Sequence, residues 1–165
     1  MRVFLLRHGM TARADSDVER TLTPQGITAL KDVMNRRVSE LSNVVQVFTG
    51  PMGRLRETAN IAAGEIGYQG EVIDNESLTK LKRGQDVTAT LQDIDMAAGD
   101  LVLVSHESTL CNFLMWLTGD DVLMANSSLC CVETEGWGRG DGKLLWQESP
   151  NSSEIKRTNH FADMF

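Results

Sequence analysis

The sequence predicts an α/β sandwich of three layers, α/β/α: helices on both faces of a mostly parallel central sheet, with an antiparallel hairpin at one edge near the C-terminus. Three observations carry that expectation. Apolar runs at residues 3–6, 44–48 and 101–104 are each long enough for one buried strand and too short for a helix. Stretches with apolar residues at helical spacing alternate with them. Residues 128–135 and 143–148 flank a glycine-rich turn at 136–142, the pattern of a hairpin with a long loop.

The first strand runs directly into Arg7-His8-Gly9. Open α/β sheets place ligand groups where strands end and loops begin. An arginine and a histidine therefore stand side by side at a site position, and Gly9 lets the backbone turn sharply there. Residues 11–21 read as a polar loop. Thr23 is the expected N-cap of the first helix and Pro24 its first helical residue, where a missing N–H costs nothing. Ile27, Leu30, Met34, Val38 and Leu41 then form one apolar stripe. The second strand meets the turn Thr49-Gly50-Pro51, and a helix from Met52 buries Leu55, Ala59, Ala62 and Ile66. Arg54 and Arg56 lie in its first turns, where the helix dipole disfavours cations. A bound anion reverses that penalty, because helix N-termini and arginines both favour phosphate.

Residues 67–73 carry a turn and a short strand, and 74–86 a loop with Lys80, Lys82 and Arg83 clustered. Val87, Leu91, Ile94 and Ala98 mark a third helix that ends before Gly99. The third apolar run leads into Ser105-His106-Glu107. A fourth helix follows, with Leu110, Phe113, Leu114 and Leu117 as its buried face, and ends at Gly119-Asp120-Asp121. Residues 1–150 are expected to form a single domain and 151–165 a C-terminal tail.

A chain of 165 residues suffices for one domain with a proper core. No stretch approaches the roughly 20 apolar residues of a membrane span. The opening apolar run is interrupted by Arg7 and His8, short of the about 7–15 residues of a signal-peptide core, so a cytoplasmic protein is expected. The three cysteines, Cys111, Cys130 and Cys131, are expected to be reduced and to serve as small core residues. Cys130 and Cys131 are adjacent, so on a strand they point to opposite faces, and their spacing fits no metal site. A net charge of −7 argues against nucleic-acid binding through a general basic surface. Phosphate binding must then rest on a few placed cations.

Such cations are present. Three strands end in turns carrying Arg7-His8, Arg54 and His106, and a sheet packed in the usual way brings them to one edge. Two arginines can grip a phosphoryl group with bidentate hydrogen bonds. One histidine can attack phosphorus while a second donates to an equatorial oxygen. The third histidine, His160, falls in the tail and is assigned no role.

On these residues the sequence resembles the histidine phosphatase superfamily, the phosphoglycerate mutase-like family. Its Arg-His-Gly signature is matched by Arg7-His8-Gly9, with Thr11 two residues beyond. Its Leu-Thr-x-x-Gly segment is matched by Leu22-Thr23-Pro24-Gln25-Gly26. Its Ser-Pro-x-x-Arg-x-x-Gln-Thr-Ala helix start is matched by residues 50–59, with Gly50 for Ser and Glu57 for Gln. Its second histidine is matched by His106 after Val104-Ser105. The resemblance implies the phosphoglycerate mutase-like fold and a metal-independent reaction with no cofactor. It implies that His8 is the nucleophile and forms a phosphohistidine intermediate, and that Arg7, Arg54 and His106 hold the phosphoryl oxygens. Gly9, Thr11 and Lys80 are expected to contact substrate.

One departure narrows the expectation. The family's proton donor sits in a Glu-x-Leu-x-Glu segment, which here reads Glu76-Ser77-Leu78-Thr79-Lys80, with Lys80 in the donor position. A poor alkoxide leaving group needs a general acid, and a phosphoramidate needs it less. The lack of the acid therefore points toward N-phosphorylated substrates. It resembles one branch, the short bacterial phosphohistidine phosphatases of the SixA type, which act on histidine-containing phosphotransfer domains or phosphotransferase-system carriers. The implied partner is such a phosphoprotein, with no nucleic acid and no membrane. Lys80, Lys82 and Arg83 could form a basic lip for it; a solvated charged loop is the plainer reading.

Two alternatives stand beside this one. A small phosphomonoester phosphatase of the same family would recruit an acid from Asp15, Asp17 or Glu107. A phosphohistidine-binding module would dock the phosphoprotein with little or no turnover. Glu107 is expected to point away from the phosphate or to cap the following helix, because its charge would repel substrate.

Overall fold

The structure is a computed structural model that describes residues 1–13 and 20–154. Asp15, Asp17 and His160 lie outside the described residues. Four parallel strands form one side of the sheet: β1 (Arg2–Arg7), β2 (Val44–Thr49), β3 (Val72–Asp74) and β4 (Asp100–Ser105). Three antiparallel strands complete it: β5 (Leu129–Thr134), β6 (Gly142–Ser149) and β7 (Ser152–Glu154). The order across the sheet is β3-β2-β4-β1-β5-β6-β7. Among the described residues the four α-helices are α1 (Pro24–Arg36), α2 (Gly53–Glu65), α3 (Gly84–Leu91) and α4 (Glu107–Thr118). The expected hairpin is the β5–β6 pair, and β7 extends the sheet into the segment expected to be a tail.

The central strands read as unbroken apolar runs because both faces are covered. Val3 and Leu5 of β1 face α3 and α4, in one cluster with Leu101, Leu103, Leu110, Phe113 and Leu114. Phe4 and Leu6 face α1 and α2, with Val102, Val104, Leu30, Met34 and Leu55. Each such side chain, fully buried, contributes about 1.5–3 kcal/mol. The adjacent cysteines divide as strand geometry requires, Cys130 to the first cluster and Cys131 to the second. None of the three cysteines is in a disulfide, and burial pushes Cys111 up to about 11 and Cys131 to about 12.

Two helices differ from the expected ones. α1 ends at Arg36, and residues Val38–Leu41 tighten into a 3-10 turn. Val33 joins the buried stripe, whereas Val38 is 40% exposed. Arg37 leaves the helical conformation there and stacks over Trp146 at 4.0 Å while donating to Glu148 at 3.0 Å. α3 starts earlier than expected and ends at Leu91 rather than Ala98. The Arg83 N–H donates to the Asp86 carboxylate at its start (3.0 Å). After its end, Asp95 turns the chain locally by accepting the Ala97 N–H at 3.0 Å.

Candidate active site

Each strand of the trio β2-β4-β1 delivers one group to the carboxyl edge of the sheet. β1 ends in Arg7-His8, β4 in Ser105-His106, and β2 turns through Gly50 into α2, whose second residue is Arg54. His8 is clamped through its backbone. Its N–H donates to the Ser105 carbonyl (3.3 Å), and its own carbonyl accepts the Ser127 N–H (3.1 Å). The Gly9 N–H donates to the Thr58 hydroxyl (3.1 Å), which in turn donates to the Arg54 carbonyl (2.8 Å). One buried hydroxyl thus ties the histidine turn to the arginine helix.

The side chains converge. The rings of His8 and His106 meet edge to face with centroids 5.5 Å apart. Arg54 Nη2 lies 3.5 Å from His106 Nδ1. His8, Arg54 and His106 are all buried, Arg54 to 2% exposure. The partners fix both tautomers. A carbonyl only accepts, so His8 Nδ1 donates its proton to the Gly9 oxygen (2.8 Å), which leaves Nε2 with its lone pair. A guanidinium only donates, so His106 Nδ1 is the acceptor and the ring proton sits on Nε2. One imidazole presents a lone pair at Nε2 and the other an N–H there.

Arg7 is oriented by its Nη1, which donates to the Met124 carbonyl (2.6 Å) and pairs with Glu107 (3.0 Å). Its Nε is buried without a hydrogen-bond partner, so that edge remains available for an anion. Glu107 stands in the first turn of α4, favourable for the helix dipole, and is engaged on Arg7. The two arginines of α2 separate: Arg54 turns inward, and Arg56 turns outward to pair with Asp74.

The other expected residues lie around this cluster. Thr11 forms a backbone bridge to Leu22, which lays the Leu22-Thr23-Pro24-Gln25-Gly26 segment against the Arg-His-Gly turn. Thr23 caps α1 by accepting the Gly26 N–H at 2.9 Å, and its own N–H donates to the Met10 carbonyl at 2.9 Å. Lys80 is exposed, on the loop between β3 and α3. Both family departures at the start of α2 have a local cause. A Cβ on Gly50 would stand 2.4 Å from the Leu78 carbonyl oxygen, so no side chain fits there. Glu57 accepts the Leu22 N–H (2.7 Å), a contact that a carboxylate makes as well as an amide oxygen. A separate cleft lined by Arg83, Asn112, Trp116 and Arg139 opens elsewhere, between α3, α4 and the β5–β6 turn.

Sequence reading missed two contributors. Arg20 is close enough for its charge to act on His8. The available signal was its position two residues before Leu22, which packs on the site. The loop before β5 supplies Ser127, buried with φ 62°, to the backbone clamp of His8. Its signal was the turn-forming run Asn126-Ser127-Ser128 ahead of a strand.

Burial holds the His8 imidazolium down, and Arg54, Arg7 and Arg20 add to it, partly opposed by the Gly9 carbonyl; the ring is lowered from 6.5 to about 4. His8 is therefore neutral at physiological pH. Because its native pKa is below the unfolded value, the unfolded chain takes up the proton first. Its contribution to stability is intact above about pH 6.5 and is lost as pH falls toward about 4, by about 3 kcal/mol in all. NMR titration of the His8 ring is expected to give a midpoint near 4, and a midpoint near 6.5 would show that the cluster does not depress it.

The fold and this edge define an α/β protein whose parallel strands present a cluster of histidine and arginine side chains at their carboxyl ends. Residues 3–95 match the model of the histidine phosphatase superfamily (branch 1), and the chain belongs to that superfamily. No curated protein sequence matches it. Among solved structures, the protein histidine phosphatase SixA complexed with tungstate superposes with a TM-score of 0.83 at 24% identity, over 92% of this chain and 98% of that one. A putative phosphohistidine phosphatase SixA from Nakamurella multipartitia gives 0.78 at 19% identity, over 92% and 96%. A mycobacterial glucosyl-3-phosphoglycerate phosphatase with inorganic phosphate gives 0.65 at 15%, over 92% and 99%. These likenesses establish the phosphoglycerate mutase-like fold. Among the described residues, no helix is long and apolar enough to cross a membrane.

Proposed function

We propose that the chain is a phosphohistidine phosphatase that removes the phosphoryl group from a histidine of a phosphotransfer protein. The observation that carries this reading is the neutral His8, with Nδ1–H tied to Gly9, the lone pair left on Nε2 of a ring within the influence of Arg54, Arg7 and Arg20, and Lys80 rather than a carboxylate in the family's acid position. In the first step the His8 Nε2 lone pair attacks phosphorus in line. The P–N bond to the substrate imidazole breaks, and that nitrogen takes up a proton from water. Arg7, Arg54 and the His106 Nε2–H bind the three equatorial oxygens, where charge builds in the transition state. In the second step water attacks the His8-bound phosphorus. Inorganic phosphate leaves, the imidazole recovers its lone pair, and the water proton passes to solvent.

Lys80 in place of the acid supports a leaving group that needs little protonation. Glu107, the alternative acid, is engaged on Arg7, which favours an orienting role for it. The test is phosphate release from a phosphohistidine-bearing carrier protein beside release from p-nitrophenyl phosphate and a sugar phosphate. Preference for the phosphoprotein by about 100-fold or more in kcat/KM is expected. Comparable turnover of the esters would sink the leaving-group argument and favour the phosphomonoesterase. Tight binding of the phosphoprotein with no turnover would favour a docking module.

A further inference from the structure

The three most exposed large hydrophobic side chains among the described residues are Leu123 at 83%, Leu81 at 80% and Met10 at 53%. All three lie at the carboxyl edge of the parallel strands, on three different loops. Met10 follows His8-Gly9 on the turn leaving β1. Leu81 stands on the loop between β3 and α3, which is fastened to the first turn of α4. Its N–H donates to the Ser108 hydroxyl and the Lys82 N–H to the Thr109 hydroxyl, both at 3.2 Å, just past His106. Leu123 precedes Met124, whose carbonyl holds the Arg7 guanidinium, and its own carbonyl accepts Gln147 Nε2 at 2.8 Å. Each apolar side chain is thus carried by backbone that is anchored to the site.

Leu81 bears two costs at once. Its φ is 58°, in the left-handed region that a bulky apolar residue seldom adopts, and its side chain projects into solvent. Glycine or asparagine would suit the turn better. A strained and exposed leucine beside a catalytic edge points to a contact made with something outside the chain. The flanking charges indicate what. Lys80 and Lys82 bracket Leu81 in a chain of net charge −7, so the Leu81 segment of this rim is locally basic on an acidic protein. A free phosphate or small phosphoramidate needs no apolar rim, whereas a folded phosphoprotein does.

We propose that Met10, Leu81 and Leu123 form a docking collar for the substrate protein: an apolar patch, edged by acidic side chains, that surrounds its phosphohistidine. The proposal rests on the phosphohistidine reading above and adds the surface that selects the protein. The collar lowers KM for the phosphoprotein and leaves chemistry on the phosphoryl group unchanged.

The test compares wild type, Leu81→Gly and the double variant Leu81→Gly/Leu123→Ser on two substrates. One is a histidine-containing phosphotransfer domain phosphorylated with phosphoramidate; the other is free phosphohistidine. Leu81→Gly is expected to hold or raise Tm, since glycine accepts the backbone at Leu81 without strain. It is expected to lower kcat/KM for the phosphoprotein about 10-fold, through KM, and the double variant about 100-fold. Free phosphohistidine is expected to turn over as in wild type, within about twofold. Unchanged kcat/KM on the phosphoprotein overturns the collar while leaving the phosphatase reading intact. So does an equal loss on both substrates, which would place these residues in the pocket. Wild-type preference for phosphomonoesters over both phosphohistidine substrates overturns the parent reading and the collar with it.

Discussion

Replacing His8 with alanine is expected to lower turnover by about 10,000-fold or more, the largest effect of any single change. The substitution removes the atom on which the proposed intermediate forms. The arginines would still bind the phosphoryl group, but water would have to attack the substrate directly, without the nucleophile that divides one difficult step into two. The clamp holds the backbone of this turn, through the Ser105 carbonyl, the Ser127 N–H and the Thr58 hydroxyl, so the alanine variant keeps its local structure. It should also lose the acid sensitivity that His8 brings, because no neutral imidazole remains to be protonated on unfolding. Two measurements check this together. Wild type incubated with radiolabelled phosphohistidine substrate should carry an acid-labile, base-stable label that is missing from His8→Ala. An undiminished label in the variant would move the nucleophile elsewhere.

Substitution of Arg54 is expected to cost about 100- to 1,000-fold in kcat, the range for one lost donor at a transition-state oxyanion or phosphoryl oxygen. Arg54 is buried to 2% exposure, contacts His106 and lies at the N-terminus of α2. In the proposed reaction it acts on three things at once: the phosphoryl charge, the tautomer of His106 and the pKa of His8. Two variants separate these roles. Arg54→Lys keeps the charge but loses the planar fork, so kcat falls while the His8 midpoint stays near about 4. Arg54→Met loses both, so kcat falls further and the His8 midpoint rises, because one of the charges that hold it down is gone. Rate and ring titration, read side by side, test the assignment. Wild-type-like kcat in Arg54→Lys would show that bidentate donation is not needed.

Much of this was legible in the chain because the signals are local. A strand buried on both faces must be an apolar run, and residues 3–6 and 101–104 are such runs. Thr23 and Pro24 announce the start of α1 through backbone chemistry that needs no tertiary partner, and the structure places the cap there. The extents of α1 and α3 were less legible. α1 stops where Arg37 turns toward Trp146 and Glu148, and beyond the end of α3 Asp95 folds onto its own backbone. The first of these depends on a strand more than a hundred residues away.

The same division holds at the site. The sequence by itself determined that Arg7, His8, Arg54 and His106 follow strand ends, since a parallel sheet sends every strand's carboxyl end to one edge. Only the tertiary structure decided that β1, β2 and β4 are neighbours, which brings those side chains into one cluster. It alone decided the tautomers, because the Gly9 carbonyl and the Arg54 guanidinium act through hydrogen-bond direction. It alone turned Arg54 inward and Arg56 outward, two residues apart on one helix, and set Glu107 on Arg7. Composition and spacing fix which groups can meet. Orientation, desolvation and hydrogen-bond direction depend on what lies across the gap, and a linear chain does not carry that information locally.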